Sequence, residues 1–309
     1  MGANNTTLEF SQDGLKRFHE NFQFSTKIKD KRVGQIEIFR EKPTGRTIAI
    51  EKSKFKTEEN SKSRIQEIED SMKLVHNHLL HVVGHSEATS KGMFTEYEVS
   101  VYFEWYYHDL EKEISERKEK NVFFQEKEIL YIMNSLISVG AYLQEQAIVH
   151  GDIRPDAIFL NEQGKVKLNH NWLLSANKNA YKEALEGDKE TYLSPEIFHE
   201  LGHSTPEPLS HSYVKNDVFS LGLTLVHIST LDSQKNCYDY SSYEIDYNVI
   251  SEHMNRMLEL YSKSSATKIK TLLEFYPEKR NSFIELRDST TFKAPSYLDK
   301  SRPGVNNIV

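Results

Sequence analysis

The stretch from Ile148 to Trp172 holds the side chains of this sequence that are best placed for acid–base chemistry. An apolar segment is followed by His150 and Asp152 in a predicted loop, and then by two short apolar runs on either side of a turn that contains Gly164. An aspartate in such a loop can accept a proton from a hydroxyl group. Phosphoryl transfer also needs side chains that hold magnesium, so oxygen ligands are expected nearby.

The segments that must position this loop differ in predicted secondary structure. Residues 22–51 alternate between apolar and polar types, and the turn KPTG between GQIEIFRE and RTIAIEK predicts a hairpin. Residues 61–75 have the apolar spacing of a helix, and two more strands are predicted around 79–84 and 93–104. After His108 the pattern is mainly helical. We therefore predict a small strand-rich N-terminal lobe with one main helix and a larger helical C-terminal lobe.

Composition limits the classes of function. The 309 residues fit one large bilobal domain or two small ones, and the net charge of −7 argues against nucleic acid as an obligate partner. A single cysteine, Cys237, excludes an internal disulfide and suits a reducing compartment. No apolar run reaches the length of a membrane span, so we expect a cytoplasmic protein.

The N-terminal residues contain one possible modification signal. The start MGANNTT matches the pattern for N-myristoylation, with Gly2 as the acceptor, although such a match also arises by chance. A single acyl chain would give at most weak membrane association.

Five motifs in a fixed order resemble the eukaryotic protein kinase family, and the resemblance runs from about residue 22 to 288. HGDIRPDAIFL resembles the catalytic loop, VKLNHNW the magnesium-binding strand and turn, and YLSPEIF the end of the activation segment. NDVFSLGLTLVHI resembles the buried helix of the large lobe, and YPEKRNSFIEL the entry to a late helix. The resemblance implies an α+β, bilobal kinase-like fold with a small antiparallel β-sheet N-lobe and a larger, mainly helical C-lobe. We expect an N-terminal extension over 1–21, the N-lobe over 22–104, the hinge and C-lobe over 105–288, and a C-terminal tail over 289–309.

The resemblance assigns structural roles to residues of the large lobe. Glu196 and Arg280 match a buried ion pair that ties the activation segment to the lobe. Asp217 matches a carboxylate that receives backbone N–H groups of the catalytic loop, and His150 matches a histidine that packs beneath the metal-binding turn. We expect these residues to hold the fold.

The positions at which the resemblance implies catalysis carry unusual residues. Glu51 replaces the strand lysine that contacts the phosphates, and Ala157 replaces a metal-binding asparagine. His170, Asn171 and Trp172 replace the metal-binding aspartate and the two residues after it. Because magnesium prefers hard oxygen ligands, these replacements predict that no metal is bound.

The remaining active-site positions are mixed. Asp152 matches the catalytic base and would be vestigial without the metals, and Arg154 replaces a loop lysine. Glu67 fits the helix glutamate that pairs with the strand lysine. It would meet Glu51 as a like charge unless a lysine or a shift of the lobe intervenes, and it can equally be a solvated carboxylate.

The residues of the nucleotide pocket also depart from the family pattern. Gly34 alone matches the glycines of the phosphate loop, and Ala49 matches the alanine over the adenine. Phe103 and Phe159 are placed to fill the pocket. We therefore expect a vestigial pocket that binds no ATP.

These observations lead to the hypothesis of a catalytically inactive kinase-like domain, a pseudokinase, that serves as a protein-binding or scaffold module. Its partners would be other proteins, with no nucleic acid and no protein substrate, and a cytoskeletal or ciliary assembly is one setting that we consider. Two alternatives stay open, an atypical serine/threonine kinase that uses Asp152 and a nucleotide-binding switch that needs no magnesium.

Overall fold

The computed structural model describes residues 18–30, 34–92, 94–161, 164–170, 192–202 and 212–289. The chain divides into two compact units between Tyr106 and Tyr107. We call them unit 1 and unit 2, in chain order. Among the described residues, no helix combines the length and the apolar character that a membrane crossing requires.

Unit 1 contains a five-stranded antiparallel sheet and one long helix. Its strands are β1 (Phe22–Asp30), β2 (Gly34–Glu41), β3 (Thr47–Phe55), β4 (Val82–Lys91) and β5 (Thr95–Glu104), in the order β1-β2-β3-β5-β4. The helix α1 spans Glu58–Met72, between β3 and β4 in the chain. The prediction of a strand-rich N-terminal region with one main helix is confirmed.

Local sequence explains two of these boundaries. Helix α1 begins after Thr57, whose hydroxyl accepts the backbone N–H of Asn60, so the helix starts earlier than apolar spacing alone indicates. The turn between β2 and β3 contains Gly45 at a φ of +74°, a conformation that glycine adopts without strain.

The two faces of the sheet carry different side chains. Residues alternate along β3, so Ile48 lies on one face and Glu51 on the other. The face of Ile48 is covered by an aromatic cluster in which Phe18 is fully buried and stacks on Phe22, with the ring centroids 4.4 Å apart. Phe18 falls within the residues that we assigned to an N-terminal extension, and in the structure it packs as part of unit 1.

Unit 2 is mainly helical, as predicted. Its helices are α2 (Leu110–Lys120), α3 (Glu126–Glu145), α4 (Pro195–Gly202), α5 (Tyr213–Thr230), α6 (Tyr247–Leu260), α7 (Lys263–Leu272) and α8 (Phe283–Asp288). Two short hairpins are formed by β6 (Ile158–Leu160) with β7 (Val166–Leu168), and by β8 (Tyr238–Asp239) with β9 (Glu244–Ile245). Every residue of α5 from Asn216 onward is buried, which explains why its sequence lacks a polar face.

Candidate active site

A carboxylate from α5 holds the loop that carries Asp152. Asp217 accepts the backbone N–H of His150 and that of Gly151, each at 2.8 Å. Gly151 has a φ of +81°, in the left-handed region that favours glycine. Burial raises the pKa of Asp217 to about 7, although the two N–H groups act to lower it. The backbone just before Asp152 is therefore fixed by one buried side chain.

The His150 ring links the same loop to the end of β7. Nε2 donates a hydrogen bond to the carbonyl oxygen of Asn169 at 2.7 Å, and Nδ1 accepts the backbone N–H of Asp152 at 3.2 Å. A carbonyl oxygen only accepts, so these two bonds require the neutral tautomer with its proton on Nε2. His150 thereby joins the backbone of Asp152 to the strand that precedes the metal-binding turn implied by the resemblance.

Asp152 lies in an ion pair with Arg154. Oδ1 of Asp152 is 2.9 Å from Nε of Arg154, and Oδ1 of Asp156 is 3.1 Å from the same nitrogen. The side chains of Asp152 and Arg154 are both almost fully buried. The loop therefore holds the Asp152 side chain beside a fixed positive charge.

The positions at which the resemblance implies magnesium ligands do not offer the usual oxygen atoms. Ala157 is buried and presents a methyl group, and His170 is buried and presents an imidazole, which magnesium binds poorly. Asn171 and Trp172 lie outside the described residues, as does Gly2. Within the ranges that the structure describes, no group of three or more histidine, cysteine, aspartate or glutamate side chains is placed to hold a metal ion. These residues do not fit the implied magnesium site, and we assign no step of a reaction to the metal.

The residues predicted to line a nucleotide pocket lie in both units. In unit 1, Ala49 is paired with Phe103 across β3 and β5, and Gly34 is paired with Asp30 at the end of the β1–β2 ladder. In unit 2, Phe159 lies in β6 and is buried. The filling of a pocket by Phe103 and Phe159 stays a prediction.

Glu51 contacts a cation that we did not anticipate from the sequence. Its Oε2 accepts a hydrogen bond from Nη2 of Arg64 on α1 at 3.1 Å, and its Oε1 accepts the Ser53 hydroxyl at 2.5 Å. Glu67 is exposed and bonds the same guanidinium at 3.3 Å. Of the alternatives that the sequence left open for Glu67, the structure shows an exposed carboxylate, and the cation that contacts both Glu51 and Glu67 is Arg64 and not a lysine. Arg64 and Glu67 are three residues apart, a spacing that brings them to one helix face.

Glu196 and Arg280 form a two-pronged ion pair in unit 2. Nη1 of Arg280 donates to Oε1 of Glu196 at 2.7 Å and Nη2 donates to Oε2 at 3.2 Å. Arg280 is fully buried and also donates to the carbonyl oxygens of Lys215, Glu274 and Phe275. Its guanidinium thus ties α4 to the start of α5 and to the segment after α7.

A second buried ionic network in unit 2 also escaped the sequence analysis. Arg117 bonds Glu113 at 2.7 Å and Glu128 at 3.0 Å, and the ring of His108 lies 2.6 Å from Glu113. Burial acts to raise the pKa of Glu113, but its bonds to His108 and Arg117 outweigh that effect and lower the pKa. The spacing of four residues between Glu113 and Arg117 could have predicted this ion pair, because residues four apart lie on the same face of a helix. The network fixes the segment that enters unit 2 to α2 and α3.

Comparison with known proteins identifies relatives of this chain. Residues 23–292 match the protein kinase domain. The chain is 26% identical to an Aurora kinase of Schizosaccharomyces pombe, over 90% of this chain and 76% of that protein. It is 27% identical to serine/threonine-protein kinase 32C of Mus musculus over 58% of this chain, and 30% identical to the MAP kinase kinase MKK1/SSP32 of Saccharomyces cerevisiae over 45%. These matches span only 35% and 26% of the latter two proteins.

These findings confirm the kinase-like α+β fold and correct two expectations. The expectation that the chain is not an enzyme is wrong, because the matched domain is a protein kinase domain and the relatives are named as kinases. The expectation that it uses neither ATP nor magnesium is wrong for the same reason, since kinases transfer a phosphoryl group from ATP with magnesium. Ala157 and His170 are departures in the ligand set and do not establish inactivity. A kinase domain also indicates proteins as partners or substrates in general.

Proposed function

Because this chain belongs to the protein kinase family, we propose that it transfers the terminal phosphoryl group of ATP to a serine or threonine hydroxyl of a protein substrate. The amino-acid class follows the name of the relative from Mus musculus, a serine/threonine-protein kinase. Asp152 is the proposed base. The observation that supports this most strongly is the ordered loop in which Asp152 lies 2.9 Å from Arg154.

The proposed reaction gives separate tasks to these two side chains. The hydroxyl oxygen of the substrate forms a bond to the γ-phosphorus of ATP, the bond from that phosphorus to the β–γ bridging oxygen breaks, and ADP leaves. The hydroxyl proton passes to the carboxylate of Asp152. Arg154 stays protonated and orients that carboxylate.

Three contacts support the idea that Asp152 is pre-organised for this task. Asp217 fixes the two residues before it, and the His150 ring accepts its backbone N–H. On its other side, the Thr224 hydroxyl lies 3.1 Å from the carbonyl oxygen of Ile153 and shares its hydrogen between that oxygen and the carbonyl oxygen of Ser220, 2.8 Å away. A base held in one orientation avoids the cost of ordering it during the reaction.

The proposal is tested by phosphate transfer from γ-labelled ATP, with magnesium, to a protein rich in serine and threonine such as casein. We expect the full chain to label the substrate, and Asp152→Asn to lower the rate by roughly 10²- to 10⁴-fold, the contribution typical of a general base. Asp156→Asn is the matched control, because Asp156 contacts the same Arg154 nitrogen at 3.1 Å and has no proposed role as a base.

The control should retain most of the activity. A wild-type rate at background level, or equal rates for the wild type and Asp152→Asn, would contradict the proposal.

A further inference from the structure

An ion pair joins β3 to α1 within unit 1. Oε2 of Glu51 lies 3.1 Å from Nη2 of Arg64, and the two side chains are 8% and 11% exposed. The second oxygen of Glu51 accepts the Ser53 hydroxyl at 2.5 Å. Both ends of the pair are therefore shielded from water, where an ion pair is stronger than at the surface.

The lysines next to Glu51 in the sequence bind elsewhere. Lys52 bonds Glu37 of β2 at 3.0 Å, and Lys54 bonds Glu96 of β5 at 2.6 Å. Alternation along β3 places both lysines on the face opposite to Glu51. Among the residues that the structure describes, Arg64 is therefore the cation in contact with Glu51.

The surroundings make Glu51 depend on this partner. Its direct neighbours in the sheet are Ile36 on β2 and Val101 on β5, and both are buried. Loss of Arg64 would leave a carboxylate between apolar side chains, and a buried charge without its partner is strongly unfavourable.

We propose that Arg64 and Glu51 are positioning residues for the kinase reaction, a role that rests on the proposed function. The resemblance implies a lysine on the strand and a glutamate on the helix. In this chain the charges are exchanged, because the carboxylate of Glu51 lies on β3 and the guanidinium of Arg64 lies on α1. The pair holds α1 against β3. It also cancels the charge of Glu51, so that the strand carboxylate does not repel the triphosphate of ATP.

Charge reversal tests both parts of this proposal. The variants are Glu51→Lys, Arg64→Glu and the double reversal, and the measurements are backbone hydrogen exchange of α1 and the equilibrium Kd for ATP. Each single variant places like charges together, so exchange of the α1 amides should speed up by about tenfold or more. Arg64→Glu should also weaken ATP binding by about tenfold or more, because the charge of Glu51 is then no longer cancelled and two carboxylates repel the triphosphate. The double reversal should restore α1 exchange to within about twofold, since the charges again match, and should return ATP binding at least to the wild-type affinity, because a lysine at position 51 attracts the triphosphate.

The exposed pair Glu58–Lys62 on the same helix is the matched control. Its nitrogen and oxygen are 2.6 Å apart, but the two side chains are 59% and 70% exposed, so its double reversal should leave exchange and ATP binding nearly unchanged. Failure of the double reversal to restore α1 exchange would overturn the ion-pair assignment. If the double reversal restores α1 exchange but Arg64→Glu leaves the Kd for ATP unchanged, the positioning role would be overturned. Neither readout requires phosphate transfer, so a failure of the proposed function would be seen separately.

Discussion

At the scale of single residues, the proposed base depends on neighbours that fix its backbone. Asp217 binds two N–H groups of the loop, His150 binds a third through Nδ1, and Arg154 binds the carboxylate itself. The side chains of Asp217, His150 and Arg154 are all buried, and for Asp217 the balance of burial and hydrogen bonding sets the protonation state. The pH dependence of stability should therefore report on the loop.

Asp217 gives a prediction with a definite sign. Its pKa is raised to about 7 by burial, so between about pH 4 and pH 7 the folded protein binds more protons at this site than the unfolded chain does. The contribution of Asp217 to the free energy of unfolding should fall as the pH rises through this window, by up to about 4 kcal/mol. Chemical denaturation of the wild type and Asp217→Asn at several pH values measures it.

The difference between the two proteins is the informative quantity in that experiment. Burial lowers the pKa of His227 to about 4, and this group contributes a slope of the opposite sign between about pH 4 and 6.5. His227 is present in both proteins, so its contribution cancels. Parallel stability profiles for the wild type and Asp217→Asn would contradict the assignment to Asp217.

At the scale of elements, close packing joins α3 and α8 in unit 2. A Cβ atom on Gly140 would lie 2.6 Å from the ring of Phe283, so only glycine fits at this contact. The backbone N–H of Ile284 also donates to the side-chain oxygen of Gln144 at 3.1 Å. The position of α8 is thus set by a ring that rests directly on the α3 backbone.

Gly140→Ala should destabilise the protein despite the better helix propensity of alanine. The clash with Phe283 should cost about 1–3 kcal/mol, and the propensity gain of up to about 1 kcal/mol offsets only part of it. Urea denaturation measures the change. Adding Phe283→Leu to Gly140→Ala should recover part of the loss, because the smaller side chain makes room for the methyl group. A Gly140→Ala variant as stable as the wild type would show that the ring moves freely.

The sequence predicted some of these elements well and others poorly. The resemblance assigned roles to His150, in the loop of Asp152, and to Asp217, in the separate motif that forms α5, because residue types and spacing within each motif carry that information. The partner of Glu51 was not predicted, because the apolar spacing of α1 defines its buried stripe but not which polar residue at the edge reaches β3. The resemblance selected Glu67 as the helix residue that faces β3, but the side chain of Glu67 is exposed. Arg64, which lies one turn earlier, makes the contact with Glu51.

At the scale of the whole molecule, each unit contains at least one ion pair that is largely shielded from water. Unit 1 has Glu51–Arg64 and unit 2 has Glu196–Arg280. The second pair differs because Arg280 also donates to three backbone carbonyl groups. Removing Arg280 therefore leaves more buried acceptors unsatisfied than removing the charge of Glu196 does.

This asymmetry predicts unequal losses of stability. Arg280→Met should lower the free energy of unfolding by about 3–5 kcal/mol, because it leaves a buried carboxylate and several carbonyl groups without donors. Glu196→Gln should cost less, since the amide oxygen still accepts a hydrogen bond from Arg280. Urea midpoints for the two variants measure the order. A larger loss for Glu196→Gln would contradict the account.

The most direct test of the central claim is the rate of phosphate transfer from ATP by the full chain, with the modified residues located by mass spectrometry. We predict phosphoserine or phosphothreonine in the substrate, at a rate that Asp152→Asn lowers by roughly 10²- to 10⁴-fold and Asp156→Asn leaves largely intact. The absence of such transfer in the wild type, or an equal rate in Asp152→Asn, would contradict the assignment of Asp152 as the base of a working kinase.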